Sequence, residues 1–286
     1  MRKQKNEKKK MFVRNMTVFF AFVCLSVPFA VWQTNDIEVT DFTYSNSKIP
    51  AAFEDFKILQ LSDIHNKSFG KNQLKLLKLI KEERPDIIVI TGDLIDEHAK
   101  NLDSTIALLD GAIKIAPVYY VDGNHDVASK LYEPFKSAAK KLGVIILDNE
   151  CAILTRDNDK IRLAGIADPK CFVNEAEYES TLSRLLEQQV GEFTILLSHR
   201  PEKIELYEKY GAYVCFTGHA HGGQIAIPFI GPVIAPNQGF FPEYTSGMYQ
   251  SGDTTMFVSR GLGTTLVPIR LFAKPQIICV TLSAKM

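Results

Sequence analysis

The feature that most constrains this chain is an alternation. Short apolar runs of strand length stand at 56–63 (FKILQLSD), 85–93 (PDIIVITGD), 117–126 (PVYYVDGNHD), 194–199 (TILLSH) and 213–219 (YVCFTGH), and each ends in polar, glycine-bearing or histidine-bearing residues. Between them, polar and apolar residues mix over helix-length stretches at 101–115, 129–142, 175–190, 201–210 and, most clearly, 70–83. In that last segment the spacing predicts Leu74, Leu77 and Ile80 on one buried face, with Lys75, Lys78 and Lys81 in water. Repetition of strand, turn and helix predicts an α/β fold, in which ligands collect beyond the carboxyl ends of the strands. Toward the end, 256–261 (MFVSRG) and 275–282 (PQIICVTL) return to strand character without a helix between them, so a second, more antiparallel sheet is expected to pack on the first. At 286 residues and 46% hydrophobic, the chain can bury one substantial core.

The first 32 residues obey a different rule. Seven basic residues and a single acid precede Met16, and Met16 to Trp32 then runs without a charge. This length is at the short end for a membrane span, and the flanking charge predicts residues 1–15 as a basic cytoplasmic segment and 16–32 as a transmembrane signal anchor. Residues 33–55 read as a tether with a possible first strand, and 56–286 as the folded domain. The positive-inside rule sends that domain out of the cytoplasm, anchored at the cell membrane. Cleavage after Ala30 followed by secretion is the alternative, although Pro28 sits poorly in such a cleavage site.

The formal charge of zero hides this asymmetry, because removing the basic start leaves the body at about −6. An acidic body without a basic stripe argues against general nucleic-acid binding. The five cysteines show no C-x-x-C spacing, so neither a thiolate metal site nor a disulfide framework is expected. The oligomeric state is left open.

Chemistry concentrates at the strand ends: Asp63 and His65 in SDIH, Asp93 in GDLID, Asn124, His125 and Asp126 in GNHD, His199 in LSHRP, and His219 with His221 in GHAH. Each motif alone is as readily a turn as a site. Together they use five of the six histidines at one end of successive strands, leaving only His98 aside. Carboxylate and imidazole without thiolate suit manganese, iron, zinc or cobalt, and the number of donors suggests two ions sharing a central Asp.

SDIH, GD, GNHD, SH and GHAH in this order resemble the calcineurin-like metallophosphoesterase superfamily over about residues 56 to 221. The resemblance implies two packed mixed β-sheets flanked by α-helices, and two divalent metal ions (manganese, iron or zinc). It places Asp63, His65 and His221 on one metal, Asn124, His199 and His219 on the other, and Asp93 between them. His125 is left to contact a phosphate oxygen and protonate the leaving group, with Asp126 orienting its ring. The reaction implied is hydrolysis of a phosphodiester or pyrophosphate bond by a metal-bridged hydroxide. The apolar N-terminus and the ending SRGLGTTLVPIRLFAKPQIICVTL resemble the membrane-associated bacterial branch that includes UDP-2,3-diacylglucosamine pyrophosphohydrolase-type enzymes, which implies a lipid-linked substrate. A nucleotide-sugar lipid is a cytosolic substrate, however, and the charge rule puts this domain outside. A membrane-anchored metal-binding scaffold and a nuclease of the same fold are the rival expectations.

After His221, residues 222–242 carry no charge and several Pro, Gly and Phe residues. They are read either as a packed hairpin closing the second sheet or as an apolar lip resting on lipid.

Overall fold

The computed structural model describes residues 2–186, 193–265 and 267–285. The described part of the predicted 175–190 helix is Glu175–Leu186, and 187–190 lie outside the described residues, as does Leu266 of the C-terminal motif.

The chain opens with one long helix, α1 (Arg2–Asn35), and then a strand, β1 (Glu38–Ser45). A βα unit series follows: β2 (Lys57–Leu61), α2 (Leu74–Glu83), β3 (Ile87–Thr91), α3 (Asp103–Ala112), β4 (Val118–Val121), α4 (Asn124–Ala128), α5 (Tyr132–Leu142) and β5 (Ile145–Ile146). The second series comprises β6 (Glu150–Arg156), β7 (Asp159–Gly165), α6 (Glu175–Leu186), β8 (Thr194–Leu197), α7 (Ile204–Lys209) and β9 (Val214–Thr217). Four two-residue strands, β10 (Ala226–Ile227), β11 (Gly231–Pro232), β12 (Ile234–Ala235) and β13 (Gly239–Phe240), form two small hairpins. The chain closes with β14 (Gly247–Ser251), β15 (Thr254–Val258) and β16 (Gln276–Ser283).

Two six-stranded sheets result, ordered β1-β16-β2-β3-β4-β5 and β14-β15-β9-β8-β7-β6. Both are mixed. The first is parallel from β2 to β5 and antiparallel where β16 meets β2, while the second is parallel from β15 to β7 with an antiparallel hairpin at each edge. The expectation that both tail strands join a second, more antiparallel sheet is thus corrected: β15 does so, but β16 inserts between β1 and β2 of the first sheet.

The sheets pack face to face through Ile58, Val89, Val121, Leu197, Phe216 and Phe257. The outer face of the first sheet is covered by α2, α3 and α5, and that of the second by α6 and α7. Strands buried on both faces read as continuous apolar runs, which is why periodicity alone did not separate inward from outward residues. One polar staple crosses the sandwich: Gln60 on β2 donates to Thr91 Oγ1 on β3 and to the Thr217 carbonyl on β9, both at 2.8 Å.

The α2 face differs from the one expected. Leu76 and Ile80 are buried, whereas Leu74 is exposed. Asn72 and Gln73 take positive φ values, and buried Gln73 bonds the Phe69 N–H and the Lys67 carbonyl, so a kinked turn resets the start of the helix. The rotation follows from tertiary hydrogen bonds that spacing does not encode.

Candidate metal centre

The two sheets align so that the carboxyl ends of β2, β3, β4, β8 and β9 meet at one edge of the sandwich. Five of the side chains delivered there stand on residues in the left-handed region: Asp63 (φ 50°), His65 (49°), Asp93 (51°), His219 (65°) and His221 (53°). Asp and His tolerate this conformation better than most residues, but its clustering at one point is the mark of a site held by its surroundings. The glycines beside them are required by close approach. A Cβ on Gly218 would lie 2.0 Å from Ser62 Oγ and 2.4 Å from Asp63 Oδ2.

Asp63, His65, Asp93 and His221 bring one donor atom each within 4.8 Å of one another, and Asp93, His199 and His219 do the same. Asp93 belongs to both groups. All six side chains are buried. His65 Nε2 stands 3.3 Å from His221 Nε2, and His199 Nε2 stands 3.2 Å from Asp93 Oδ2. His199 Nδ1 faces the Thr91 carbonyl at 2.8 Å and donates to it, so Nε2 meets the carboxylate either as a protonated donor or, with the ring neutral, as a second acceptor. Two acceptors at such a distance repel unless a cation lies beside both. Metal–donor bonds of about 2.1 Å meeting at roughly 90–110° separate their donors by about 3.0–3.4 Å, which matches these contacts.

Other buried atoms carry the same message. Asp93 Oδ2, His199 Nε2 and Asn124 Oδ1 have no hydrogen-bond partner, although buried polar atoms are nearly always satisfied. Neighbouring carboxylate oxygens are committed: Asp93 Oδ1 accepts from the His125 N–H at 2.8 Å, and the Asp63 carboxylate accepts from the His219 N–H at 3.1 Å. The donor set therefore fits two divalent ions with Asp93 common to both.

The field has the right sign for cations. Burial works against a charged His199, yet the Asp93 and Asp63 carboxylates outweigh it and push the imidazole up to about 10. Burial, with His65 and Arg270 adding to it, holds His221 well below its ordinary value, and burial with His199 and Arg200 does so for His219. Both therefore stay neutral, which is the ligating form of imidazole.

Around this centre lies a cleft of about 990 Å³, lined among others by His125, Lys170, Arg200, Lys203, Asn237 and Thr265. His125 opens onto it from the start of α4, and exposed His98 stands at its rim. The expected partnership of Asp126 with His125 is corrected. Asp126 is fully buried, its Oδ1 accepts from the Ile95 N–H at 2.8 Å and its Oδ2 from the Gly123 N–H at 2.9 Å. It ties the GNHD turn to the GDLID loop, because a side chain pointing back to cap its own turn cannot also reach the ring of its neighbour. The carboxylate facing His125 is Asp96, 3.9 Å from Nδ1.

Sequence reasoning left four further residues without a role. Asp96 also lies 3.5 Å from His65 Nδ1. Arg200 forms a two-pronged pair with Asp168, at 2.6 and 3.0 Å, and its Nη1 reaches both His219 Nε2 (2.7 Å) and Asn237 Oδ1 (3.0 Å). Arg200 and Asp96 stood inside the quoted motifs LSHRP and GDLID, whereas Asp168 and Asn237 carried no local signal.

Residues 56–223 match the family described as Calcineurin-like phosphoesterase. The chain is 38% identical over 256 residues to the uncharacterized metallophosphoesterase YkuE of Bacillus subtilis (strain 168), covering 87% of this chain and 86% of that one. It is 27% identical over 230 residues to the phosphodiesterase YaeI of Escherichia coli (strain K12), covering 78% and 80% respectively. Among solved structures, TT1561 of Thermus thermophilus aligns over 72% of this chain and 89% of its own with a TM-score of 0.50 at 15% identity, a likeness of fold.

Proposed function

We propose, from the premise that this chain belongs to the calcineurin-like phosphoesterase family and is a metal-dependent hydrolase, that it cleaves a phosphodiester or pyrophosphate bond at the outer face of a membrane. The observation that carries the reading is the pair of buried donor groups sharing Asp93.

In this reading Asp63, His65 and His221 would hold one ion and Asn124, His199 and His219 the other, with Asp93 available to both. Manganese, iron and zinc all suit this donor set. When bound, the ions supply Lewis acidity toward phosphoryl oxygens and acidify a water. The chain's own residues do the rest. His125 reaches into the cleft beside Asp93, where its ring can donate to a phosphoryl oxygen and pass a proton to the departing oxygen. Burial lowers the His125 pKa, and the charge of a bound phosphate opposes that shift. Arg200, held rigid by Asp168, lines the same cleft as Lys170 and Lys203, so the part of the substrate beyond the reacting phosphorus meets basic side chains.

The membrane part of the reading rests on α1. Lys10–Asn35 is long and apolar enough to cross a bilayer. Its end is bound to the domain: Thr34 Oγ1 accepts from the Arg270 N–H at 3.0 Å, and Lys75 Nζ donates to the Asn35 carbonyl at 2.8 Å. Packing of this kind favours retention as an anchor over cleavage after Ala30. With the basic start inside, the cleft lies outside, and a lipid-linked phosphoester is the substrate class that combines anchor and chemistry.

The test is turnover of bis-p-nitrophenyl phosphate and p-nitrophenyl phosphate by the full chain in detergent, stripped and reloaded with manganese, zinc or iron. Metal-dependent cleavage of the diester is expected. Stoichiometric metal binding without cleavage of either ester, or of lipid-linked diphosphates, would favour a binding scaffold.

A further inference from the structure

The two small hairpins pack on the second sheet through Ala235 and leave their larger apolar side chains in the open. Phe229, Ile230, Phe240 and Phe241 are each more than half exposed, and Phe229 is fully so. Soluble surfaces scatter such residues singly; here they crowd into 225–241, within a stretch free of charge from Gly222 to Pro242. The hairpins are joined to a second exposed loop. Ile225 bridges to Leu271, with the Ala226 N–H donating to the Leu271 carbonyl at 2.9 Å and the Leu271 N–H to the Gln224 carbonyl at 3.0 Å. That loop carries exposed Val267, Ile269 and Phe272.

The second loop is also where α1 docks. The Phe272 ring lies 5.7 Å from the Phe29 ring of the helix, so the exposed apolar surface continues onto the helix. Polar contacts mark the end of the apolar helix. Lys274 Nζ sits 4.0 Å over the Trp32 ring and 2.8 Å from Asp36 Oδ2, while Lys67 and Lys75 donate to the last helix carbonyls at Thr34 and Asn35. A tryptophan with lysines just beyond it is the pattern of a headgroup boundary, where anionic lipid draws cations and aromatic rings settle. About 20 residues below that boundary, at 1.5 Å each, span the roughly 30 Å of hydrocarbon.

We infer that the exposed apolar surface of 225–241 and 267–272 seats in the same bilayer that α1 crosses, holding the catalytic cleft against the lipid headgroups. The inference rests on the anchor reading above. Its consequence is geometric: Pro236 and Asn237, from the first segment, and Thr265, two residues before the second, line the cleft, so the side of the site they form faces the membrane. Buried Arg270 links the two levels, its backbone N–H on Thr34 and its guanidinium on the carbonyls of Gly263, Ala273 and His221.

The native chain holds one tryptophan, Trp32, which serves as its own depth reporter. The full chain is placed in nanodiscs of phosphatidylethanolamine and phosphatidylglycerol with brominated acyl chains, and tryptophan emission is read. Phe229→Trp, Phe240→Trp and, as a remote control on an outer strand, Ile153→Trp are each made in a Trp32→Phe background. Native-rate hydrolysis of bis-p-nitrophenyl phosphate certifies their folds. Loss of emission at 229 and 240 comparable to native Trp32, with none at 153, is expected. Quenching of native Trp32 without quenching at 229 and 240 overturns the inference and leaves the anchor standing; if those variants then sediment as dimers, a second copy covers the surface instead. No quenching of native Trp32 removes the anchor reading, and this inference with it.

Discussion

His65 and His125 meet edge to face, ring centroids 4.7 Å apart, and both turn Nδ1 toward one oxygen, Oδ2 of Asp96. One ring belongs to the buried donor cluster and the other to the open cleft, so a single carboxylate faces both the proposed ligand and the proposed proton donor. The nearby His65 imidazole leads the causes that hold Asp96 down at about 2, so it is ionised at neutral pH. Asp96→Asn should weaken metal binding about 10–100-fold and lower kcat, read by manganese titration and steady-state kinetics. Unchanged metal affinity would restrict Asp96 to the cleft.

His125→Ala should lower turnover of a diester by about 10²–10⁴-fold while metal stoichiometry by elemental analysis stays at the native value. Loss of metal together with activity would show that His125 is a ligand instead.

Chelation should abolish activity and lower the melting temperature, because the clustered carboxylates and imidazoles lose the cations that reconcile them. Each ion present at about 100 times its dissociation constant contributes about 2.7 kcal/mol, which is roughly 5–10 °C for a domain of this size. Calorimetry before and after manganese reloading measures it, and a melting point indifferent to metal would contradict the dimetal reading.

Gly123→Ala should inactivate without unfolding. The new Cβ would lie 2.3 Å from Asp93 Oδ1 and 2.5 Å from Asp93 N, so the shared carboxylate must move. Overpacking of this kind costs about 1–3 kcal/mol, and the expected signature is a folded protein with at least one metal lost.

Asp168→Ala should destabilise by about 3–5 kcal/mol, since it strands the buried Arg200 guanidinium. The double variant Asp168→Leu/Arg200→Met should recover much of the stability but not the activity, if Arg200 faces substrate. Chemical denaturation and diester turnover on the same samples separate the two effects.

Apolar runs ending in Asp, Asn and His determined the α/β class, the end of the strands where chemistry gathers, and the identity of the clustered side chains, because strand length and polar termini are local properties of the chain. The motifs in order also determined the family. What tertiary structure alone decided depends on contacts between distant segments. Strand β16 lies between β1 and β2, the kink before α2 turns Leu76 inward in place of Leu74, and Asp126 caps its turn while Asp96, from the GDLID loop, faces the His125 ring. Asp168 reaches the site through Arg200, itself fixed by burial at the mouth of the cleft, and Asn237 meets both Arg200 and His219. Sequence spacing states what a residue can donate or accept; which partner it finds is settled when two sheets close on each other and every buried polar atom must be satisfied at once.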